Sequence, residues 1–362
     1  MVVAVCTFWT LSAYAQNLEW RELASIGKYK SDEVNDMYGD VNDVFVRSSN
    51  DIYIADDLPL HIRRVDSTGV VKNIIGSRGM GPDQLSSIAT FTVDDDGRVV
   101  VVDYRARMIK VFSTSGELES THPMDGLGFP RRIVPLDDGN YLVLSGRNSR
   151  PVEASRMLFT ETDESFRAIK RFGSTADMRI DTTGFVSNYM DYNPGYIDVL
   201  GNTLVYVPPI YEGKIFLFER IDSHWTGPRE LERPFGHVPL VLYDPKDRPV
   251  SSIVIKSNVQ DDFAAQILSR SLGVFFEGPD RISLFYRLAL HKEDVSVPIK
   301  VEQYNLSGAL LRSTMHQELN PPRLSSPQTA IEVAGFHDGR YYLLDIAEYP
   351  HLRVVEISRQ YE

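Results

Sequence analysis

The feature that most constrains this chain is a segment that returns 47 positions later (50 to 97). Asn50-Asp51-Ile52-Tyr53-Ile54-Ala55-Asp56, followed by Ile62-Arg63-Arg64-Val65-Asp66-Ser67-Thr68-Gly69, reappears as Gly97-Arg98-Val99-Val100-Val101-Val102-Asp103, followed by Ile109-Lys110-Val111-Phe112-Ser113-Thr114-Ser115-Gly116. Each copy is two short apolar segments separated by a polar loop and closed by a glycine turn. Such a unit is too small to bury its own apolar face, so copies must pack against one another.

Extending each copy in both directions gives four strands. Phe91 to Val93 turns through Asp94-Asp95-Asp96-Gly97 into Arg98 to Val102; Ile109 to Phe112 follows, and an outer strand lies near Glu117 to Thr121. Four antiparallel strands joined by tight Asp/Gly turns form one blade of a β-propeller. Six blades fit the chain, beginning near 42, 89, 132, 197, 273 and 331. The sixth runs out of chain after its third strand. Leu18 to Gly27 resembles the outer strand Val70 to Gly76 in alternation and in its closing Ile-Gly. The expectation is therefore an all-β, six-bladed β-propeller of four-stranded antiparallel blades, with an N-terminal strand completing the C-terminal blade and removing the open edge. The pattern lapses over 237–270, where Pro239, Pro245 and Pro249 mark a long interblade insertion and Asp261 to Leu268 reads as a short helix.

The first 15 residues read as a signal peptide: Val2 to Leu11 is largely apolar, Ala13-Tyr14-Ala15 fits a cleavage site, and Gln16 would begin a single mature domain over 16–362. The apolar run is too short to span a bilayer. The protein is thus expected in the periplasm or secreted. The one cysteine, Cys6, falls inside the leader, so the mature chain would have neither disulfides nor thiolate ligands. A formal charge of -12, spread along the chain, argues against a broad nucleic-acid-binding surface.

The chain resembles the NHL-type six-bladed β-propeller family, within the bacterial exported six-bladed propellers. The resemblance rests on Gly76-Ser77-Arg78-Gly79-Met80-Gly81-Pro82 before blade two, on Asp103 after its second strand, and on Arg107-Met108-Ile109-Lys110-Val111-Phe112 opening its third. It is specific over 42–121; Met108 stands where the family has Arg. The resemblance implies the fold. Its members include protein-, RNA- and glycan-recognition modules and some metal-dependent enzymes, so activity has to be argued from the site.

If inner strands start at the top of the ring, the loops between second and third strands also lie there, and they carry the candidates. Arg105, Arg107, Arg147 and Arg150 are either solvated rim residues or guanidinium forks for a carboxylate, sulfate or uronic acid. Tyr211 and Tyr349 are rim aromatics suited to a sugar or peptide. His61, His291 and His351 lie in top loops of different blades and are ligand-binding candidates; together they supply the imidazoles a zinc ion would need, and a central calcium or zinc ion is the cofactor alternative to none. Asp56, Asp103 and Asp345 recur at second-strand ends, where a carboxylate fixes the following turn. No nucleophile elbow or compact metal motif is present.

The sequence alone favours a non-catalytic recognition module for a carbohydrate, peptide or partner protein. The alternatives are a metal-assisted lyase or hydrolase acting on a peptide terminus or polysaccharide, and a structural protein-interaction scaffold.

Overall fold

A computed structural model describes residues 18–27, 37–146, 157–180, 189–232, 240–243, 253–255, 263–267, 269–288, 297–318, 331–346 and 349–359. Six four-stranded antiparallel sheets follow one another along the chain. Blade 1 comprises Val41–Ser48, Asp51–Asp56, His61–Val65 and Val71–Ile75. Blade 2 comprises Thr90–Val93, Val99–Asp103, Met108–Phe112 and Leu118–Pro123. Blade 3 is built from Pro130–Pro135, Tyr141–Ser145, Met157–Thr162 and Ala168–Ser174, and blade 4 from Tyr196–Leu200, Thr203–Val207, Lys214–Ile221 and His224–Glu232. Blade 5 is Ser269–Gly278, Arg281–Leu288, Val297–Asn305 and Leu310–Glu318.

Blade 6 contains Ile331–His337, Arg340–Asp345 and His351–Arg359, and its outer strand is Leu18–Ile26. That strand runs antiparallel to the third, from Leu18 opposite Arg359 to Ile26 opposite Leu352. Trp20 extends the seam toward blade 5, stacking on His316 at 4.4 Å and meeting the edge of Phe285 at 6.3 Å. The six-bladed ring is closed as expected.

The apolar interior is divided into six clusters, each between two neighbouring blades. Second strands are packed on both faces: Val99 and Val101 point toward blade 1, while Val100 and Val102 point toward blade 3. A strand buried on both sides reads as a continuous apolar run, which explains why Val99 to Val102 shows no polar alternation. The turn feeding it is closed by Gly97, whose φ of +81° is costly for a residue with a Cβ.

The insertion differs from expectation. Phe263–Ile267 is a strand, not part of a helix; it lies between Leu240–Tyr243 and Ile253–Ile255 in a separate three-stranded antiparallel sheet. Ala264, Ala265 and Gln266 favour a helix locally, and backbone pairing with two other strands overrides that propensity. The inner strand of blade 5 begins at Ser269, four residues earlier than the pattern suggested (269 against 273). Among the described residues, no helix is long and apolar enough to cross a membrane. The expected leader lies outside the described residues.

Candidate functional site

Inner strands line the channel, and several are bulged near their starts. In blade 1 the register shifts between Val41 and Asp43, in blade 3 between Pro130 and Arg132, in blade 5 between Ser271 and Gly273. A bulge breaks the strict alternation of side chains and re-aims them. In blade 3 the consequence is that consecutive Arg131 and Arg132 are close enough for each charge to act on the other.

Arg132 crosses from blade 3 to blade 1, where its Nη1 donates to Asp43 Oδ1 at 2.7 Å. Asp43 also accepts from Thr90 Oγ1 of blade 2 at 2.8 Å and from the Phe91 amide at 3.3 Å. Thr90 stands one repeat length after Asp43, so equivalent positions of adjacent blades meet here. Burial alone would lower the Arg132 pKa, but the charges of Asp43 and Glu332 turn the balance upward. The Arg132 side chain is 32% exposed although protein surrounds it, as expected for a group lining an open channel.

Blade 5 supplies a second cationic pair. Arg270 and Arg287 face each other across adjacent strands, an arrangement that like charges normally disfavour. The loop after the second strand of blade 4 holds this edge, with the Tyr211 amide donating to Ser269 O at 3.1 Å and the Ser271 amide to Pro209 O at 3.0 Å. Tyr189, on a single helical turn over 189–192, lies beneath the Arg270 guanidinium at 5.6 Å from ring centroid to Cζ. Tyr196 opens blade 4, with its ring 5.8 Å from Arg132 Cζ. Its hydroxyl is buried without a hydrogen-bond partner, and Glu332 of blade 6 acts on both Tyr196 and Arg270.

The electrostatics of the mouth are unbalanced. The carboxylates of Asp43 and Glu332 act on Arg132, and Glu332 on Arg270, whereas Arg131 and Arg287 each feel a neighbouring arginine, in a chain whose overall charge is -12. Burial, and after it the charge of Arg132, lowers the Arg131 pKa to about 10; burial, and after it Arg270, lowers Arg287 to about 10. An arginine still keeps its proton at neutral pH with such a value, so the depression registers burial first and a like-charged neighbour second. Neither Arg131 nor Arg287 has an ion-pair partner among the described residues.

The described residues among the candidates named from sequence lie elsewhere or play other parts. Arg105 and Arg107 are exposed on the turn Tyr104 to Arg107, where Arg107 has φ +56°. Among the described residues, no hydrogen bond or ion pair joins the Arg107 side chain to the axial cluster. His61 accepts from Arg63 Nε at 2.9 Å, and burial together with the Arg63 charge lowers its pKa. Tyr211 is a correction: it is completely buried in the core between blades 4 and 5, tilted against Tyr286 at 4.7 Å, and is no rim aromatic. Tyr349 stacks on His351 at 4.6 Å, and His351 lies 3.9 Å from Asp345. Arg147, Arg150 and His291 lie outside the described residues.

Asp56 accepts from the amides of Gly39, Asp40 and Leu58 at 2.9, 3.0 and 3.1 Å, and Asp103 from those of Ser86 and Ser87 at 3.0 Å each. Asp345 receives Arg353 at 3.5 Å. These carboxylates join a turn to the neighbouring loop or strand. Among the described residues, no three His, Cys, Asp or Glu side chains are grouped to hold a metal ion.

A family model described as "DUF5128: 6-bladed beta-propeller" matches residues 38–214. The chain has a six-bladed fold found among bacterial exported propeller proteins. The likeness does not single out the NHL type. A protein described as exported, from Bacteroides fragilis, is 12% identical with a TM-score of 0.55 over 95% of this chain and 96% of its own. A member of the DUF4221 family from Bacteroides vulgatus is 9% identical with a TM-score of 0.56 over 96% and 100%. No curated protein sequence matches the chain.

One expectation is corrected by these comparisons. A gluconolactonase from Xanthomonas campestris is also similar, at 14% identity and a TM-score of 0.48 over 85% of this chain and 82% of its own. Lyases acting on streptogramin B and virginiamycin B share the likeness as well. Enzymes stand among the similar structures, so the preference for a non-catalytic role is withdrawn.

Proposed function

We propose that the channel mouth binds a carboxylate-bearing ligand and carries out a lyase or hydrolase reaction on it, with arginines in place of a metal ion as the electrophilic groups. The observation that carries this reading is the Arg270 and Arg287 cross-strand pair, together with the absence of an ion-pair partner for Arg287 among the described residues. Two like charges on facing strands are costly unless anions offset them; Glu332 acts on Arg270, and a planar ligand carboxylate would match the guanidinium fork of Arg287.

The same mouth supplies proton-transfer groups. Glu332 is the carboxylate nearest in effect to Arg270 and Tyr196, and is assigned as general base; Tyr196, whose phenol pKa burial raises, stays protonated and is assigned as the donor to a leaving oxygen. Neutralising a ligand carboxylate makes the adjacent C–H more acidic, which favours elimination; the same base can instead activate water. The expected leader over 1–15 supports action outside the cytoplasm, and a mature N-terminus at Gln16 would test it.

The decisive experiment incubates the purified protein with acidic oligosaccharides and acidic peptides and weighs the products. Elimination leaves the summed mass unchanged, whereas hydrolysis adds one water. Glu332→Gln should retain ligand and lose turnover by about 10²- to 10⁴-fold. Arg287→Gln should weaken binding. Unchanged binding of every acidic ligand by Arg287→Gln overturns the reading.

A further inference from the structure

The blade 3 side of the channel mouth carries a feature that the general reading leaves unused. Arg131 Cζ lies 4.0 Å from the Phe129 ring centroid, and Phe129 meets Tyr104 edge to face at 4.1 Å. One face of the guanidinium is therefore covered, and its buried Nε has no hydrogen-bond partner. Beside it are two large aromatics left open to solvent: Tyr104 is 40% exposed and Tyr192 is 71% exposed. Phe129 joins Tyr104 to Arg131, and the helical turn bearing Tyr192 meets Gly146 beside Arg131 Cγ, so both tyrosines stand around the same cation.

Gly146 fixes this arrangement. Its amide donates to Phe129 O at 2.9 Å, and a Cβ at this position would lie 2.3 Å from Asp191 O and 3.5 Å from Arg131 Cγ. The helical turn bearing Tyr192 is therefore seated directly on Gly146, next to the arginine. The aromatics are presented by a rigid support, which limits the ordering needed on binding.

We propose that Tyr104, Phe129, Arg131 and Tyr192 form a pyranose subsite for a uronate residue of an acidic oligosaccharide. This assignment rests on the reading of the mouth as a carboxylate site and names its substrate class. The sugar's apolar C–H face lies on an exposed tyrosine ring, and its planar carboxylate is taken by Arg131. An acidic peptide would use the charge but not the flat surfaces. Peptide recognition by strand addition needs an open strand edge, and Tyr104 lies on a turn, Phe129 on a connection, and Tyr192 on a helical turn.

The test is calorimetric titration of the full chain with oligogalacturonate, oligomannuronate, methyl-esterified oligogalacturonate and oligoglutamate. At least one uronate oligomer binds, and its methyl ester binds about tenfold more weakly or less well still. Tyr192→Ala and Tyr104→Ala each weaken uronate binding by about three- to tenfold. Oligoglutamate affinity stays unchanged in both, and Tyr192→Phe retains wild-type uronate affinity. Arg131→Gln removes the preference for acid over ester. Thermal melting of each variant verifies that it is folded, and any tyrosine variant that is not is replaced by its leucine counterpart. If neither tyrosine substitution changes uronate affinity, or if no uronate binds, the subsite is overturned. The broader reading then still stands when Arg287→Gln weakens oligoglutamate binding, and falls with it when Arg287→Gln weakens nothing.

Discussion

Arg132 of blade 3 reaches past blade 2 to Asp43 of blade 1, with 2.7 Å between Nη1 and Oδ1. Because Asp43 also binds Thr90 and Phe91 of blade 2, one carboxylate ties three consecutive blades at the channel mouth. Removing either member leaves the other charge in the channel without its partner. Asp43→Asn and Arg132→Gln should each lower stability by about 1–3 kcal/mol in urea unfolding. The double variant should lose less than the sum of the single losses, and strict additivity would show that the pair is not coupled.

Tyr211 separates the core from the binding surface. It is fully buried against Tyr286, so Tyr211→Ala should cost about 3–5 kcal/mol by leaving a cavity. Surviving folded protein should bind acidic ligands as the wild type does. A loss of affinity without a loss of stability would return Tyr211 to the rim.

Asp198 gives a pH dependence of defined sign. It lies on the inner strand of blade 4, accepting from the Phe276 amide of blade 5 at 2.7 Å, and burial raises its pKa from 3.8 to about 7. Folding therefore favours the protonated form. The corresponding stability is complete below pH about 4 and is lost as pH rises through about 7, an effect of about 1–3 kcal/mol. Asp198→Asn should flatten the change in melting temperature across this window, and a variant that keeps the wild-type slope would assign the pH dependence to another group.

The closing strand should behave as part of blade 6. Trp20→Ala removes the stack on His316 and the edge contact with Phe285, at a cost of about 2–4 kcal/mol. Hydrogen exchange should then show the amides of Leu18–Ile26 and of the facing His351–Arg359 losing protection together. Loss confined to the first strand would mean that the two do not open as one unit.

The ring was legible because its signals are local and repeated. Asp94 to Gly97 marks a turn, Arg98 to Val102 an apolar second strand, and Leu18 to Gly27 the missing outer strand; each follows from alternation and turn chemistry. The insertion was less so, because the pairing of Phe263–Ile267 with two distant strands leaves no local trace. The candidate site was less legible: Arg105 and Arg107 are exposed, Tyr211 belongs to the core, and Arg147, Arg150 and His291 lie outside the described residues. Arg105, Arg107, Arg147 and Arg150 read either as solvated rim residues or as guanidinium forks, whereas the proposed site draws on Arg131, Arg132, Arg270 and Arg287. A register shift is invisible in composition, and one lies between Pro130 and Arg132, where Arg131 and Arg132 stand at the start of the inner strand of blade 3. One signal was available: Pro130-Arg131-Arg132-Ile133-Val134-Pro135 begins an inner strand with two consecutive charges, where a strand at the centre of a ring has little room for either.

The joint between Leu18–Ile26 and His351–Arg359 also sets an order of events. During synthesis Leu18–Ile26 must wait for His351–Arg359, so five blades can assemble while the sixth lacks its third strand and, with it, its outer one. Until then the nascent ring has a gap that any competing strand could occupy. A ribosome stalled before residue 351 would release a product with every other blade encoded and no means of locking the circle.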